Sequence, residues 1–490
     1  MTASRAGCGV EAVTRGAEAP TPPVARGLPW IGHLPWFYAD TNRFLLRLAR
    51  SRGDVASFRL GREEAFLLSH PDHVQQVLVD DADAFRKGRL MQRARRLLGD
   101  GLLTSEGEHH HRQRRRLQPA FCRQQITKYA ESVPRFSARL ADRWTHGEVL
   151  NVSAAMDELA MAIVVHTLLG ADIERDAAPL AAELRVLARW LPLLAAPMAG
   201  RLERAGLPPF RRAGQAADRI DAAVRGCMAN AAPSQGRDLL SLLLRPGTDG
   251  MEMTPQLARD EAMTLFLAGH DTTAAALTWT WYLLASHPDV DRRLQHELDA
   301  VLGDRDPLPA DCPDLAFTGS VFDETLRLYP PVGRIGRRPI GDYRIGGRLV
   351  PAGAAVFLSP FVTQRDPRWW PDPGRFDPDR WTEEARSRRP RYASFPFGAG
   401  PRSCIGGHMA RTIGILVIAT IARRWRMVSL PGAPAPRIRS ILTLKPKHPL
   451  WVTIASRSCS LSAPPCTFPL QPPPLWTGPR QLSDEAIGPA

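Results

Sequence analysis

Phe397-Gly398-Ala399-Gly400-Pro401-Arg402-Ser403-Cys404-Ile405-Gly406 sets a single cysteine in a glycine-rich turn. Gly398, Gly400 and Gly406 permit backbone turns closed to other residues, and the apolar run over 409–422 predicts a helix that begins just after Cys404. A thiol at a helix N-terminus meets unpaired N–H groups and the positive end of the helix dipole, which lower its pKa and favour the thiolate, a metal ligand. A free cysteine is also commonly buried and inert. The other stretches of the chain decide between the two.

Residues 255–284 read as one long helix with Phe266-Leu267-Ala268-Gly269-His270-Asp271-Thr272-Thr273 at its middle. Glycine inside a helix costs roughly 1 kcal/mol against alanine, so Gly269 predicts a packing reason, which a flat group lying on the helix supplies. A helical threonine diverts backbone hydrogen bonding and admits water, and an adjacent acid carries protons. Glu324-Thr325-Leu326-Arg327 puts an acid and a base three apart on one helical face; amid Val321, Phe322, Leu326 and Leu328 the pair is expected to be buried. In Gly107-Glu108-His109-His110-His111-Arg112-Gln113-Arg114, His110 and Arg114 share a face. The three consecutive histidines diverge by about 100° each on a helix, so they do not converge on one ion.

Together these stretches resemble the cytochrome P-450 superfamily. Phe, two residues, Gly, one, Arg, one, Cys, one, Gly is similar to its haem-binding loop, and the pattern is complete here. The resemblance spans roughly residues 22–455 and implies a mainly α fold with small β-sheets, a single large haem domain over 25–456. It implies haem b (iron protoporphyrin IX), with Cys404 as axial ligand and Phe397 beside the sulfur. Arg402, His110, Arg114 and Arg337 are then propionate partners, with Arg338 the rival of Arg337 by one position. Gly269 lies against the macrocycle, Asp271 is the proton-relay acid and Thr272 the hydroxyl beside the oxygen, since oxygen activation needs delivered protons. Glu324 and Arg327, with Arg380 of Phe376-Asp377-Pro378-Asp379-Arg380-Trp381, form a structural support behind the cysteine loop. Gln364-Arg365-Asp366-Pro367 also fits the family. Ile413 departs from it, standing where many relatives carry Glu.

The implied activity is a monooxygenase that inserts one atom of dioxygen into an apolar small molecule and reduces the other to water. Leu267, Ala268 and the segment Val332, Gly333, Arg334, Ile335 are the implied pocket walls, suited to a terpenoid, fatty acyl or polyketide-like substrate. Arg334 is placed to hold a carboxylate or to reach solvent. No second catalytic unit follows Trp451, so electrons are expected from a ferredoxin or flavodoxin with its reductase. A peroxide-driven or isomerising relative needs no proton relay, and Asp271 with Thr272 argues against it. A haem-binding sensor and a basic nucleic-acid binder are the non-enzymatic alternatives.

Composition is in keeping with this. The chain has 490 residues, 44% of them hydrophobic and 23% charged, ordinary for a globular protein with a large core. There is no apolar run long enough to span a bilayer and no secretory apolar core at the start, so a cytoplasmic protein is expected. Seven scattered cysteines without CxxC spacing predict neither a disulfide framework nor a zinc site. The net charge of +14 is partly concentrated over Arg86–Arg116, with ten Lys/Arg against three Asp/Glu. No helix-turn-helix or RNA-binding signature accompanies it, so an acidic redox partner is the expected use rather than nucleic acid.

Trp190-Leu191-Pro192-Leu193-Leu194-Ala195-Ala196-Pro197-Met198 reads either as a substrate roof or as ordinary helix packing. Residues 1–24 read as a disordered leader and the proline-rich stretch 457–490 as a disordered tail. Val55–Leu60 and 64–68 read as paired strands with Gly61-Arg62 at the turn.

Overall fold

The computed structural model describes residues 27–169, 183, 186, 206, 208–230, 239, 253–440 and 443–457. The leader, nearly all of the tail and the apolar piece over 190–198 lie outside these residues. Helices α1 (Leu34–Ala39) and α2 (Thr41–Arg52) open the described chain. The Asp40 carboxylate accepts from Arg43 N at 3.0 Å and so starts α2, while Gly53, at φ 82, ends it.

Strands β1 (Val55–Leu60) and β2 (Glu63–Leu68) form the expected antiparallel hairpin, with Leu60 opposite Glu63 and Gly61 at φ 65 in the turn. The remaining strands of this sheet come from distant parts of the chain: β3 (Phe85–Lys87), β4 (Ile335–Pro339) and β5 (Ala355–Leu358). Their order is β1-β2-β5-β4-β3, with β2–β5 parallel and the other pairs antiparallel. This register sets Arg337 directly across from Lys87, which matters below.

Five helices position the site: α3 (Gly107–Leu117), α4 (Val152–Leu169), α5 (Pro255–Ser286), α6 (Ala316–Leu328) and α7 (Gly407–Ala422). At 32 residues, α5 is about 48 Å long. Thr254 caps it by accepting from Leu257 N at 3.2 Å, and Pro255 fills the first position, where its missing N–H costs nothing. Apolar nearly all round, α5 is wrapped by α4, α6 and α7, as such a helix must be. Ile413 and every following residue of α7 are buried, so the departure from a family Glu puts an apolar side chain into an apolar core.

A short hairpin, β6 (Ile438–Ser440) and β7 (Leu444–Pro446), lies against α5. Trp279 stacks on Tyr329 with centroids 3.9 Å apart and donates from Nε1 to Leu444 O at 2.8 Å, which fixes β7 relative to the long helix. The fold is therefore mainly α with small separate sheets in one body. No described helix is long and apolar enough to cross a membrane.

Candidate active site

The loop from Phe397 to Gly406 is held by its own backbone. Gly398 N donates to Phe395 O at 2.9 Å, Ser403 N to Gly400 O at 3.0 Å and Cys404 N to Phe397 O at 2.8 Å. Gly400 has φ 68, and a Cβ there would lie 1.9 Å from Leu78 O, so no other residue fits. The Phe397 ring packs on Gly407 at the first turn of α7; a Cβ at Gly407 would be 3.4 Å from its Cγ.

Helix α7 starts at Gly407, with Gly406 as its cap, so Cys404 stands two residues before the cap. The expected lowering of its thiol pKa is overturned. Burial of the sulfur pushes the thiol up, and the Gly406 N–H and the nearby Arg114 guanidinium only partly counter this. Cys404 nevertheless keeps accessible surface, because it borders an opening. Coordination to a metal removes the thiol proton outright, so the loop presents a shielded ligand rather than a free thiolate.

Above the loop lies a cluster of cations. Arg114 donates from Nη1 to Ser403 O and from Nη2 to Ser403 Oγ at 3.4 Å. Arg402 donates to Phe85 O at 2.8 Å, to Ala82 O at 3.1 Å and to Glu106 Oε2 at 2.9 Å. Arg337 is buried; burial first, then Arg402, draws its pKa down to about 10. The buried His110 has an unpartnered Nδ1, and burial with Lys87, Arg402, His111 and Arg114 depresses its pKa to about 3, so it is neutral. His109 and His111 turn to Asp100 and Asp83, so the three rings part as expected.

Lys87 and Glu106 were not foreseen. Lys87 Nζ donates to Leu102 O at 2.9 Å and Ser105 O at 2.7 Å, and burial takes its pKa to about 7 despite Glu106. The only available signal was the alternation Phe85-Arg86-Lys87, which turns Lys87 inward with Phe85 while Arg86 points out. Lys87, Arg114, Arg337 and Arg402 together face chiefly Glu106, so the site is short of negative charge. A macrocycle carrying two carboxylates, set over a cysteine, fits this donor set.

On α5 the geometry is mixed. Ala268 is exposed and Thr272 half-buried in the middle of an otherwise buried helix, so this stripe faces an opening. Leu265, one turn earlier, and Ile405 of the loop both pack against Leu102 and Leu117, which places that opening beside the cysteine loop. Thr272 Oγ1 donates to Ala268 O at 2.6 Å, the predicted back-bonding. At Gly269 a Cβ would meet Val164 Cγ2 at 3.2 Å, so close packing of α4 is one reason for the glycine.

Asp271 is buried and faces the β6–β7 hairpin. Its Oδ1 pairs with Lys445 Nζ at 2.7 Å, and Thr443 Oγ1 donates to its Oδ2. Lys445 also reaches Asp157 Oδ1 at 3.0 Å. Burial alone would raise the Asp271 pKa, but the Lys445 charge and hydrogen bond, then Thr443 and His270, hold it below the ordinary carboxylate range. Neither carboxylate oxygen touches the Thr272 hydroxyl. The adjacent acid is thus an ionised, pinned group in this conformation, whereas sequence placed it beside the threonine.

Leu267 is buried in a cluster with Phe266 and Met263 of the same helix, and Val332 is exposed. Ile335 points at the loop, since a Cβ on Gly398 would lie 3.6 Å from its Cδ1. Arg334, the residue before it, sets its guanidinium carbon 5.5 Å from the centre of the Phe37 ring.

Behind the loop, Glu324 and Arg327 are fully buried and joined by two bonds of 2.8 Å. Arg327 also donates to Gln364 O, Pro373 O and Arg375 O at 2.8 to 3.0 Å. Arg380 Nε approaches Glu324 Oε1 only to 3.5 Å; the closer donors are Asp377 N at 3.0 Å and Trp381 Nε1 at 2.9 Å. The Gln364 side chain donates to the Leu326 and Arg327 carbonyls and accepts from Phe395 N at 3.1 Å, linking the end of α6 to the start of the cysteine loop.

A shielded cysteine before a helix, a cation-rich rim and a threonine-bearing long helix over the same opening define a haem-thiolate protein. The family model for cytochrome P-450 matches residues 22–452, and the chain belongs to that family. It is 38% identical to cyclooctatin synthase of Streptomyces melanosporofaciens, over 86% of this chain and 93% of that protein. It is 35% identical to cyclooctat-9-en-7-ol 5-monooxygenase of the same organism, over 83% and 89%, and 31% identical to pentalenene oxygenase of Streptomyces avermitilis, over 86% and 94%. Among solved structures, the retinoic-acid-bound cyanobacterial CYP120A1 has the same fold, with a TM-score of 0.81 over 90% of this chain and 100% of that one at 23% identity. The protein is a cytochrome P-450 monooxygenase, an oxidoreductase whose cofactor is haem.

Proposed function

We propose that this enzyme oxygenates a terpenoid-like small molecule with electrons from a separate ferredoxin or flavodoxin and its reductase. The observation that carries the reading is the accessible stripe Ala268–Thr272 on a buried helix, beside the opening that Cys404 borders. Relatives at 31 to 38% identity are named for cyclooctatin, cyclooctat-9-en-7-ol and pentalenene, which supports a terpenoid. When bound, the haem supplies the redox chemistry that activates dioxygen.

In this reading the chain's own residues have separate tasks. Cys404 Sγ ligates the iron, and Arg402, Arg337, His110, Arg114 and the unforeseen Lys87 hold the propionates. Leu267, Ala268, Val332 and Ile335 exclude water around the substrate. Thr272 Oγ1 already donates to Ala268 O, so its lone pairs are free to position a water for proton delivery into the opening. Asp271, ionised while paired with Lys445, passes a proton on only after leaving Lys445 and taking one up from water, so the ion pair holds the relay in reserve.

Thr272→Ala is expected to retain haem and substrate binding while diverting most reducing equivalents to peroxide. Product formed per NADPH consumed, with peroxide measured alongside, checks this; full coupling in the variant contradicts the assignment of Thr272. For the function as a whole, a terpenoid panel is incubated with a surrogate ferredoxin system under isotopically labelled dioxygen. One labelled oxygen atom in the product is expected, and product that forms without reductant contradicts the reading.

The cysteine side also carries a pocket of about 550 Å³ rimmed by Arg386, Arg389, Arg391 and Arg411, with Trp370 and Trp381 beside them. A basic rim on that side supports docking of an acidic electron donor. Arg391 is exposed on this rim. Arg391→Glu is expected to slow reduction by the ferredoxin about tenfold at low salt, with the difference shrinking as ionic strength rises. Stopped-flow reduction rates across a salt series measure it.

A further inference from the structure

Ile335 and Arg337 turn towards the cysteine loop and the cation cluster. Arg334, the residue just before β4, has its guanidinium carbon 5.5 Å from the centre of the Phe37 ring. It has no carboxylate partner among the described residues. Burial draws its pKa down to about 10, and only the Tyr38 phenol offsets this. Arg334 nonetheless retains accessible surface, as a side chain lining a recess does.

Next to it is a second unsatisfied group. Asn42, near the start of α2, is 2% exposed, and neither its Oδ1 nor its Nδ2 has a partner. Its amide abuts the backbone beside Arg334, for a Cβ on Gly333 would lie 2.9 Å from Asn42 Oδ1. An unpaired buried cation and an unpaired buried amide each cost stability unless something supplies what they lack. A guanidinium offers only donors, in a planar fork; the amide adds one more donor group and an acceptor. The chemical complement is a carboxylate, with two oxygens for the fork and a lone pair for Asn42 Nδ2. The neighbours Phe37 and Val332 are apolar, which suits the body of a molecule that carries one such group.

We propose that Arg334 and Asn42, at the entry to β4, form a carboxylate-recognition subsite, so that the preferred substrate is a terpenoid-like acid held by its carboxylate there. Calling the ligand a substrate rests on the oxygenase reading above; the subsite itself does not. One guanidinium and one amide match a monoanion on an apolar body better than a free inorganic anion.

The test is calorimetric binding, on the haem-loaded full chain, of a diterpenoid carboxylic acid and its methyl ester, with inorganic phosphate as competitor. The native protein is expected to prefer the acid by roughly tenfold or more. That preference should vanish in Arg334→Gln, persist in part in Arg334→Lys and weaken in Asn42→Ala. Because Arg334→Gln removes an uncompensated buried cation, it should also melt no lower than the native chain without ligand. Equal binding of acid and ester by the native protein overturns the proposal, as does a preference that survives Arg334→Gln. Displacement of the acid by phosphate at equal concentration also overturns it, since that marks a site for free anions. The carbon monoxide spectrum is recorded on the same samples. A normal thiolate spectrum with no acid preference removes the subsite alone, and an acid preference without that spectrum removes the oxygenase reading alone.

Discussion

Cys404→Ser is expected to fold and to bind haem, yet to lose the thiolate spectrum and nearly all oxygenation. The fold does not depend on the sulfur: the loop is closed by the Cys404 N–H to Phe397 O and by glycine turns that serine leaves intact. The cation rim still offers its hydrogen bonds to the propionates. What disappears is the polarisable, anionic donor that pushes electron density to the iron and favours O–O cleavage. Changes to groups that merely support a metal ligand cost roughly 10- to 100-fold. Replacing the ligand itself should exceed that. Haem content by pyridine haemochrome, the reduced carbon monoxide spectrum and turnover of an accepted substrate separate the three effects. A serine variant that turns over at more than a tenth of the native rate would contradict the ligand assignment.

Arg327→Leu is expected to give little haem-loaded protein. Arg327 is fully buried and satisfies Glu324 and three main-chain carbonyls, at Gln364, Pro373 and Arg375. Removing it leaves a buried carboxylate without its counter-charge and orphans those carbonyls, a loss of roughly 3–5 kcal/mol for breaking a buried pair from one side. Net folding stabilities are only about 5–15 kcal/mol, so this is a large fraction of the total. The segment that lets go is the one that carries the cysteine loop, because Gln364 joins the Leu326 and Arg327 carbonyls to Phe395 N. The ratio of Soret to protein absorbance and the melting temperature measure the loss. In a double variant with Glu324→Met and Arg327→Met, the stability lost should be less than the sum of the two single losses, since the pair is removed as a unit. Strict additivity would deny that the two residues act together.

Where the sequence was legible, the information was local. The hairpin of β1 and β2 was set by alternation and a glycine turn, and α5 by its long unbroken helical run. Cys404, Thr272, Glu324 and Arg327 stood out because spacing alone defines their motifs. What was missed came from contacts between distant parts of the chain. Asp271 is pinned by Lys445 and Thr443, more than 170 residues later, and nothing near Asp271 announces them. Lys87 lay inside a run of arginines that reads as a solvated face until strand pairing sets it opposite Arg337. The packing of Val164 of α4 on Gly269 also joins distant parts of the chain. Trp381 was passed over for Arg380 because a charged partner is the obvious one for Glu324, yet the indole N–H makes the shorter bond. The thiol of Cys404 was expected to favour the thiolate, but burial outweighs the help of one amide and one guanidinium.

The most direct measurement is the absorption spectrum of the purified, dithionite-reduced native protein under carbon monoxide. Thiolate ligation by Cys404 predicts the long-wavelength Soret band that gives this family its name. A Soret band only at the shorter wavelength typical of histidine-ligated haem, in freshly prepared and correctly folded protein, would contradict the assignment of Cys404 and every role built on it.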